Sequence, residues 1–272
     1  MRGVQISGFN NLATREFDGV QIAGFSNLAF RGVARFQASG FFNYTQRLTG
    51  MQAAGFANVS TKKAKGFQIS GFANVATGSI DGVQISFINF ADQIRGAQFG
   101  FLNIADSVKG ISIGFLSFIL HGYNTIQLQT DENLIVRASA KTGVNRFYNI
   151  LTAGYGLGDE KVWSFGYGFG FYQPIGQKHG FNLDFTLSNL EKQDDFDLNS
   201  NFLAEGEFQY NFKFGKAFAV HLGPAYRLLM ISPHSVSEPA FTGLPGDVSH
   251  QFTFINHDVK GWLGASAGVR LL

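Results

Sequence analysis

Cysteine is absent from all 272 residues, which excludes a disulfide framework and any thiolate-held metal. Charge is scarce as well: Asp, Glu, Lys and Arg make up 15% of the chain, against roughly 25% in ordinary soluble domains. No apolar run approaches the ~18 residues of a membrane helix. The longest, Ile111–Leu120, spans ten residues and is broken by Gly114 and two serines. Met1 leads straight into a repeated phrase, so the signal of an exported protein is expected upstream of this sequence. Strong net charge is also missing. Residues 1–122 carry ten Lys/Arg and five Asp/Glu, and the remainder eleven and fourteen, for a total of +2. The two parts carry +5 and −3, and neither value supports nucleic-acid binding as the leading idea.

What is abundant is glycine (34) and phenylalanine (31), which suggests β-structure whose outer surface is not polar throughout. The phrase Gly3-Val-Gln-Ile-Ser-Gly-Phe-Asn-Asn-Leu-Ala13 returns, with variation, eight times before residue 120. Its glutamines are Gln5, Gln21, Gln37, Gln52, Gln68, Gln84 and Gln98, with Ser112 closing the series. Its asparagines are Asn11, Asn27, Asn43, Asn58, Asn74, Asn89 and Asn103. A period of 14–16 residues with nearly fixed apolar and amide positions means stacked identical units.

Val4-Gln5-Ile6-Ser7 alternates apolar and polar, as a strand with one buried face does. Charges fall almost entirely in the connectors between phrases, with Arg35 of the irregular third copy as the exception. In a β-solenoid, like residues lie over like about 4.8 Å apart, and the amides form Gln and Asn ladders. The ladders are expected to be structural. An up-and-down sheet is the alternative, although successive copies would then run in opposite directions and nothing would favour identical amides. No flat array of Thr or aromatics at one phase is read from the phrase, which speaks against an ice-binding or glycan-binding face.

From about residue 124 the period changes to strict two-residue alternation. Trp163, Phe165, Tyr167, Phe169 and Phe171 oppose Ser164, Gly166, Gly168 and Gly170, and Phe202, Phe208 and Tyr210 oppose Glu205, Glu207 and Gln209. Bulky apolar residues on one face and small or charged ones on the other are the dyad pattern of a membrane barrel. Eight strands are expected, near 124–130, 133–141, 146–157, 162–173, 180–190, 200–213, 217–230 and 259–271. The short connections at Pro174–Lys178 and Phe214–Lys216 read as periplasmic turns, and Glu191–Asn199 and Ile231–Asp258 as outer loops. The expected fold is therefore all-β: a solenoid of eight repeats over 1–120, then an eight-stranded antiparallel barrel of outer-membrane type over 121–272. The repeats are expected on the periplasmic side or against the barrel mouth.

The Gly-Val-Gln-Ile-Ser-Gly-Phe-x-Asn-Val-Ala units resemble the short surface repeats of uncharacterised envelope proteins of Gram-negative bacteria. In some of those a repeat array precedes a small outer-membrane barrel. The resemblance covers residues 1–120 well and the rest by pattern. It implies an envelope location and no known reaction.

Candidate chemistry is sparse. Asp195-Phe-Asp197-Leu-Asn199-Ser-Asn201 resembles the start of a calcium loop, but Ser200 and Gly206 stand where glycine and glutamate belong. His234, His250 and His257 lack ligand spacing on a defined element. Gly166-Tyr-Gly168-Phe-Gly170 lies inside an alternating strand, not in a nucleotide-binding turn. No catalytic residue, cofactor or metal site is assigned. The reading is a non-enzymatic structural or interaction protein of the outer membrane, with the bilayer and other envelope proteins as partners. A first alternative is a module that binds anionic lipid or glycan through Arg31, Arg47, Lys62, Lys63 and Lys65. A second is a lipid-active enzyme using Glu205 or Glu207, near Asp184, as base; a salt-bridged plug is the preferred account of those carboxylates.

Overall fold

The computed structural model describes residues 2–132, 134, 136–157, 161–192, 201–215, 217–231, 250–254 and 257–272. Those residues form strands and connections without a helix. Contacts divide the chain into two units, residues 1–123 with 142–144, and residues 124–141 with 145–272.

The first unit is a parallel solenoid of about six turns, coiled from the eight phrase copies. Its strands are β1 (Arg2–Ser7), β2 (Asn10–Ala23), β3 (Ser26–Ser39), β4 (Phe42–Ala54), β5 (Ala57–Ser60), β6 (Ala64–Ser70), β7 (Ala73–Ile85) and β8 (Ile88–Ile119). Register places like over like: Gln5 opposite Gln21, Asn27 opposite Asn43, Gln68 opposite Gln84. The up-and-down alternative is thereby excluded for these residues. The breaks between strands fall mostly at the Gly-Phe corners. Most of the polar connectors continue as strand; β2 runs through Thr14–Asp18 unbroken.

The phrase-opening glycine has a steric cause. Gly66 has φ +111°, and a Cβ there would lie 1.9 Å from the Gly50 carbonyl oxygen of the rung before. Only glycine accepts both that backbone conformation and that approach. Arg35 takes this position in the third copy, and register shifts of the β2–β3 and β3–β4 ladders flank it.

The second unit is a closed antiparallel barrel of eight strands. Seven are consecutive: β9 (Tyr123–Asp131), β10 (Val136–Val144), β11 (Phe147–Leu157), β12 (Lys161–Ile175), β13 (His179–Lys192), β14 (Asn201–Phe214) and β15 (Phe218–Ile231). Closure comes from β17 (His257–Leu271), which pairs with both β15 and β9. Closure removes the exposed edges that make open sheets stick to one another.

One expectation is corrected here. The long connection Ile231–Asp258 is not loop throughout, because β16 (His250–Phe254) forms a hairpin with β17. The alternation His250-Gln-Phe252-Thr-Phe254 suits that pairing, but it is too short to stand out from a loop rich in Ser, Pro and Gly. The expected loop and calcium-like segment at 193–200, and His234, lie outside the described residues.

Candidate functional site

Polar and apolar positions of the solenoid are arranged in an unusual sense. The amides point inward: Gln21, Gln37, Gln52, Gln68, Gln84 and Gln98 are fully buried, as are Asn27, Asn43, Asn58, Asn74, Asn89 and Asn103. Gln5 and Asn11 occupy the same phases in the first copy, and Asn11 is also buried. Each glutamine donates from Nε2 to Oε1 of the preceding copy, from Gln21 to Gln5 at 2.7 Å through Gln98 to Gln84 at 2.9 Å. Each asparagine donates the other way, from Asn11 to Asn27 at 2.9 Å through Asn89 to Asn103 at 3.0 Å. The two amide chains therefore run antiparallel, and their dipoles oppose.

Asparagine also closes the corner. Asn58 Nδ2 donates to the Ile69 carbonyl at 2.7 Å and Asn27 Nδ2 to the Ala38 carbonyl at 2.7 Å. Its second proton thus satisfies a carbonyl next to the bend, which explains why Asn recurs where Gln would be too long. In the last copy both phases become serine, and Ser112 Oγ donates to Ser117 Oγ at 3.2 Å. Beside the amides sits a small apolar core of Ala34, Leu48, Ala64, Ala76, Ile80, Ala91 and Ile94.

The outer surface is where the aromatic expectation fails. Phe9, Phe25, Phe41, Phe56, Phe72, Phe87, Phe101 and Phe115 form one stacked column along the Gly-Phe corner. Most neighbouring rings lie near 5 Å apart and almost parallel, as Phe41 and Phe56 do at 4.8 Å and 6°. All eight are exposed. An aromatic array at one phase is therefore present. The signal was in the sequence, since each Phe follows its Gln (or Ser112) by three or four residues.

The basic residues sit on the connector edge. Arg31, Arg47, Lys62, Lys63 and Lys65 are all exposed. Lys63 Nζ lies 3.3 Å from Asp81, and Arg31 stands opposite Glu16 in register. Arg35 is paired with Asp18, its Nε 2.7 Å from Oδ1. A hydrogen bond from Arg35 holds the Asp18 carboxyl below the usual carboxylate range.

Inside the barrel the charges are paired. Glu205 stands opposite Arg227 in the β14–β15 register, and Arg227 Nε donates to Glu205 Oε1 at 2.7 Å. Arg137 Nη1 lies 2.7 Å from Glu205 Oε2, and its Nη2 reaches Asp131 at 2.8 Å. Glu207 accepts from Gln209 at 2.6 Å, with Arg227 at 3.4 Å. Arg227 also binds Glu132, which accepts from Trp262 Nε1 at 2.9 Å. Lower in the lumen Lys141 pairs with Asp184, and Arg270 donates to Asn182 at 2.7 Å and Gln209 at 2.9 Å.

Glu205 and Glu207 do come together, as sequence reasoning expected, but each is engaged by arginine. Asp184 is opposite Glu207 in register and neutralised by Lys141. This is a packed ion-pair plug, in which the side chain of Glu205 is fully enclosed. Arg137, Lys141, Asp131, Glu132 and Arg270 were missed, although Arg137-Ala-Ser139-Ala-Lys141 already shows inward polar alternation. On the outer wall a groove of about 540 Å³ runs past Phe169, Phe185, Leu187, Ala204, Gly206 and Tyr226. Compared with family models and with curated proteins, the chain matches none.

Proposed function

We propose that this chain is a non-enzymatic outer-membrane protein of the Gram-negative envelope, anchored by its barrel and carrying the solenoid as a structural or interaction element. The observation that carries the reading is the sense of the barrel wall. Phe165, Phe169, Phe185, Leu187, Leu222 and Leu263 are exposed on the outside, while Arg137, Lys141, Glu205, Arg227 and Arg270 are buried within. A barrel in water gains by the opposite arrangement, because burying a large apolar side chain contributes roughly 1.5–3 kcal/mol. Hydrocarbon outside removes that preference and penalises exposed charge. The resemblance of the repeats to Gram-negative surface repeats supports the envelope assignment.

Eight strands leave room for side chains and little else. With the lumen filled by ion pairs, bulk transport is not the role. The test is migration on a gel before and after heating, together with fractionation. Faster migration of the unheated form and release only by detergent are expected. A protein that stays in solution without detergent overturns the proposal.

A second reading has its own observation: Arg31, Arg47, Lys62 and Lys65 are exposed and make no ion pair among the described residues. Such an edge suits an anionic lipid or glycan. Binding to vesicles containing phosphatidylglycerol should then weaken steeply between low and high salt, and salt-insensitive binding sinks this reading.

A further inference from the structure

We propose that the solenoid is itself a lipid-contacting element, seating its phenylalanine column and the flanking apolar rows in bilayer hydrocarbon with the connector edge at the headgroups. This goes beyond the barrel anchor and rests on the reading of the chain as a membrane protein. One turn illustrates the basis: Phe67 and Phe72 are 50% and 42% exposed, while Gln68 and Asn74 of the same turn are fully buried. In water that order is reversed, since amides hydrate readily and phenyl rings do not. Within the stack the backbone is satisfied by neighbouring rungs, which is the condition hydrocarbon imposes.

Dimensions agree. From Gly66 to Phe72 the chain advances six residues, about 20 Å at strand rise. One leaflet of hydrocarbon is about 15 Å deep. Immersing the Phe corner to that depth leaves the connectors at headgroup level, where Arg31, Arg47, Lys62 and Lys65 complement anionic lipid. The Phe column contains no charged residue and repeats one side chain through eight copies, with rings about 5 Å apart at every step except Phe72 to Phe87, at 6.3 Å. Such uniformity suits a fluid apolar phase, whereas a shaped protein partner is matched by varied side chains and pockets.

The lack of native cysteine makes the test direct. Phe72→Cys, Thr77→Cys and Phe185→Cys are each labelled with a nitroxide in the full chain. Each is then reconstituted in phosphatidylethanolamine–phosphatidylglycerol vesicles and probed with oxygen and a water-soluble nickel chelate. Oxygen should dominate at positions 72 and 185, and nickel at 77 on the connector, with oxygen-to-nickel ratios several-fold apart. Lipid exposure at 185 with water exposure at 72 overturns the solenoid inference and leaves the barrel anchor standing. Water exposure at 185 overturns the barrel anchor, whatever 72 shows. Dipolar broadening at 72, with both reagents excluded, means a second copy covers the column and overturns the inference. Phe41→Cys repeats the measurement two turns away should Phe72→Cys fail to fold.

Discussion

Asn58 donates a hydrogen bond to Asn74 at 3.0 Å from a position fully shielded from solvent. The same Nδ2 reaches the Ile69 carbonyl, and Asn58 Oδ1 accepts from Asn43 at 2.9 Å. One side chain therefore satisfies groups on three other segments of the solenoid. Replacing it by leucine orphans several buried polar groups, at roughly 1–3 kcal/mol each. Asn58→Leu should lower the denaturant midpoint of the β-sheet circular dichroism signal more than Asn11→Leu. Asn11 donates to Asn27 and the Ile22 carbonyl but stands at the end of the ladder, with no asparagine of an earlier copy donating to it among the described residues. Equal effects would show that the ladder does not act as a cooperative stack.

Gly66 and Gly176 both have positive φ, at 111° and 67°. They differ in surroundings, since a Cβ at Gly176 meets nothing within 4 Å. Gly176→Ala should cost only the left-handed backbone term, about 1–2 kcal/mol. Gly66→Ala must also push apart two rungs, so it should open the solenoid to limited proteolysis while Gly176→Ala does not.

Glu205 bridges Arg137 and Arg227 at 2.7 Å each, whereas Glu207 sees the same arginines at 3.6 and 3.4 Å. Removing one charge of a buried pair costs about 3–5 kcal/mol because the other is left uncompensated. Glu205→Gln should therefore lower the temperature at which the heat-modified gel band appears more than Glu207→Gln does. The reverse order would contradict the plug geometry.

Asp18 and Arg35 form an exposed pair, and the Asp18 carboxyl is held low chiefly by the Arg35 hydrogen bond. A folded value below the unfolded one contributes stability above the unfolded value, and that contribution is lost as pH falls through the folded one. The contribution is small and screened by salt. Arg35→Ala should raise the Asp18 titration midpoint seen by carboxyl NMR while the thermal midpoint barely moves.

Strand existence was legible over most of the chain, since β12, β13 and β15 fall within two residues of the spans expected from alternation. β10 is displaced, beginning at Val136 rather than 133, because Leu134 N–H donates to Asp131 Oδ1 at 2.9 Å and ends the preceding strand in a local turn. Alternation reports which side chains share a face, and a turn held by one side-chain contact leaves no periodic trace. The ion-pair plug was only half legible. Inward charges follow from parity, but Arg137 and Glu205 stand 68 residues apart in the chain. Their pairing depends on closure of the barrel.

Period and alternation by themselves determined the parallel stacking of like residues, the amide ladders and the division into repeat and barrel. Each is a consequence of local chain geometry, in which a fixed step brings the same residue back to the same phase. In the repeats, only the tertiary structure decided which face is inside. An alternating strand is equally compatible with phenylalanine buried or glutamine buried. In both units the coil or the closed wall encloses the polar set, with a small apolar core that includes Leu48 and Ile80 in the first and Trp262 in the second, and turns most large apolar residues outward. Enclosure is a property of the assembled sheet, and it leaves Phe41 and Phe56 stacked on the surface while Gln52, in the same copy as Phe56, is fully buried.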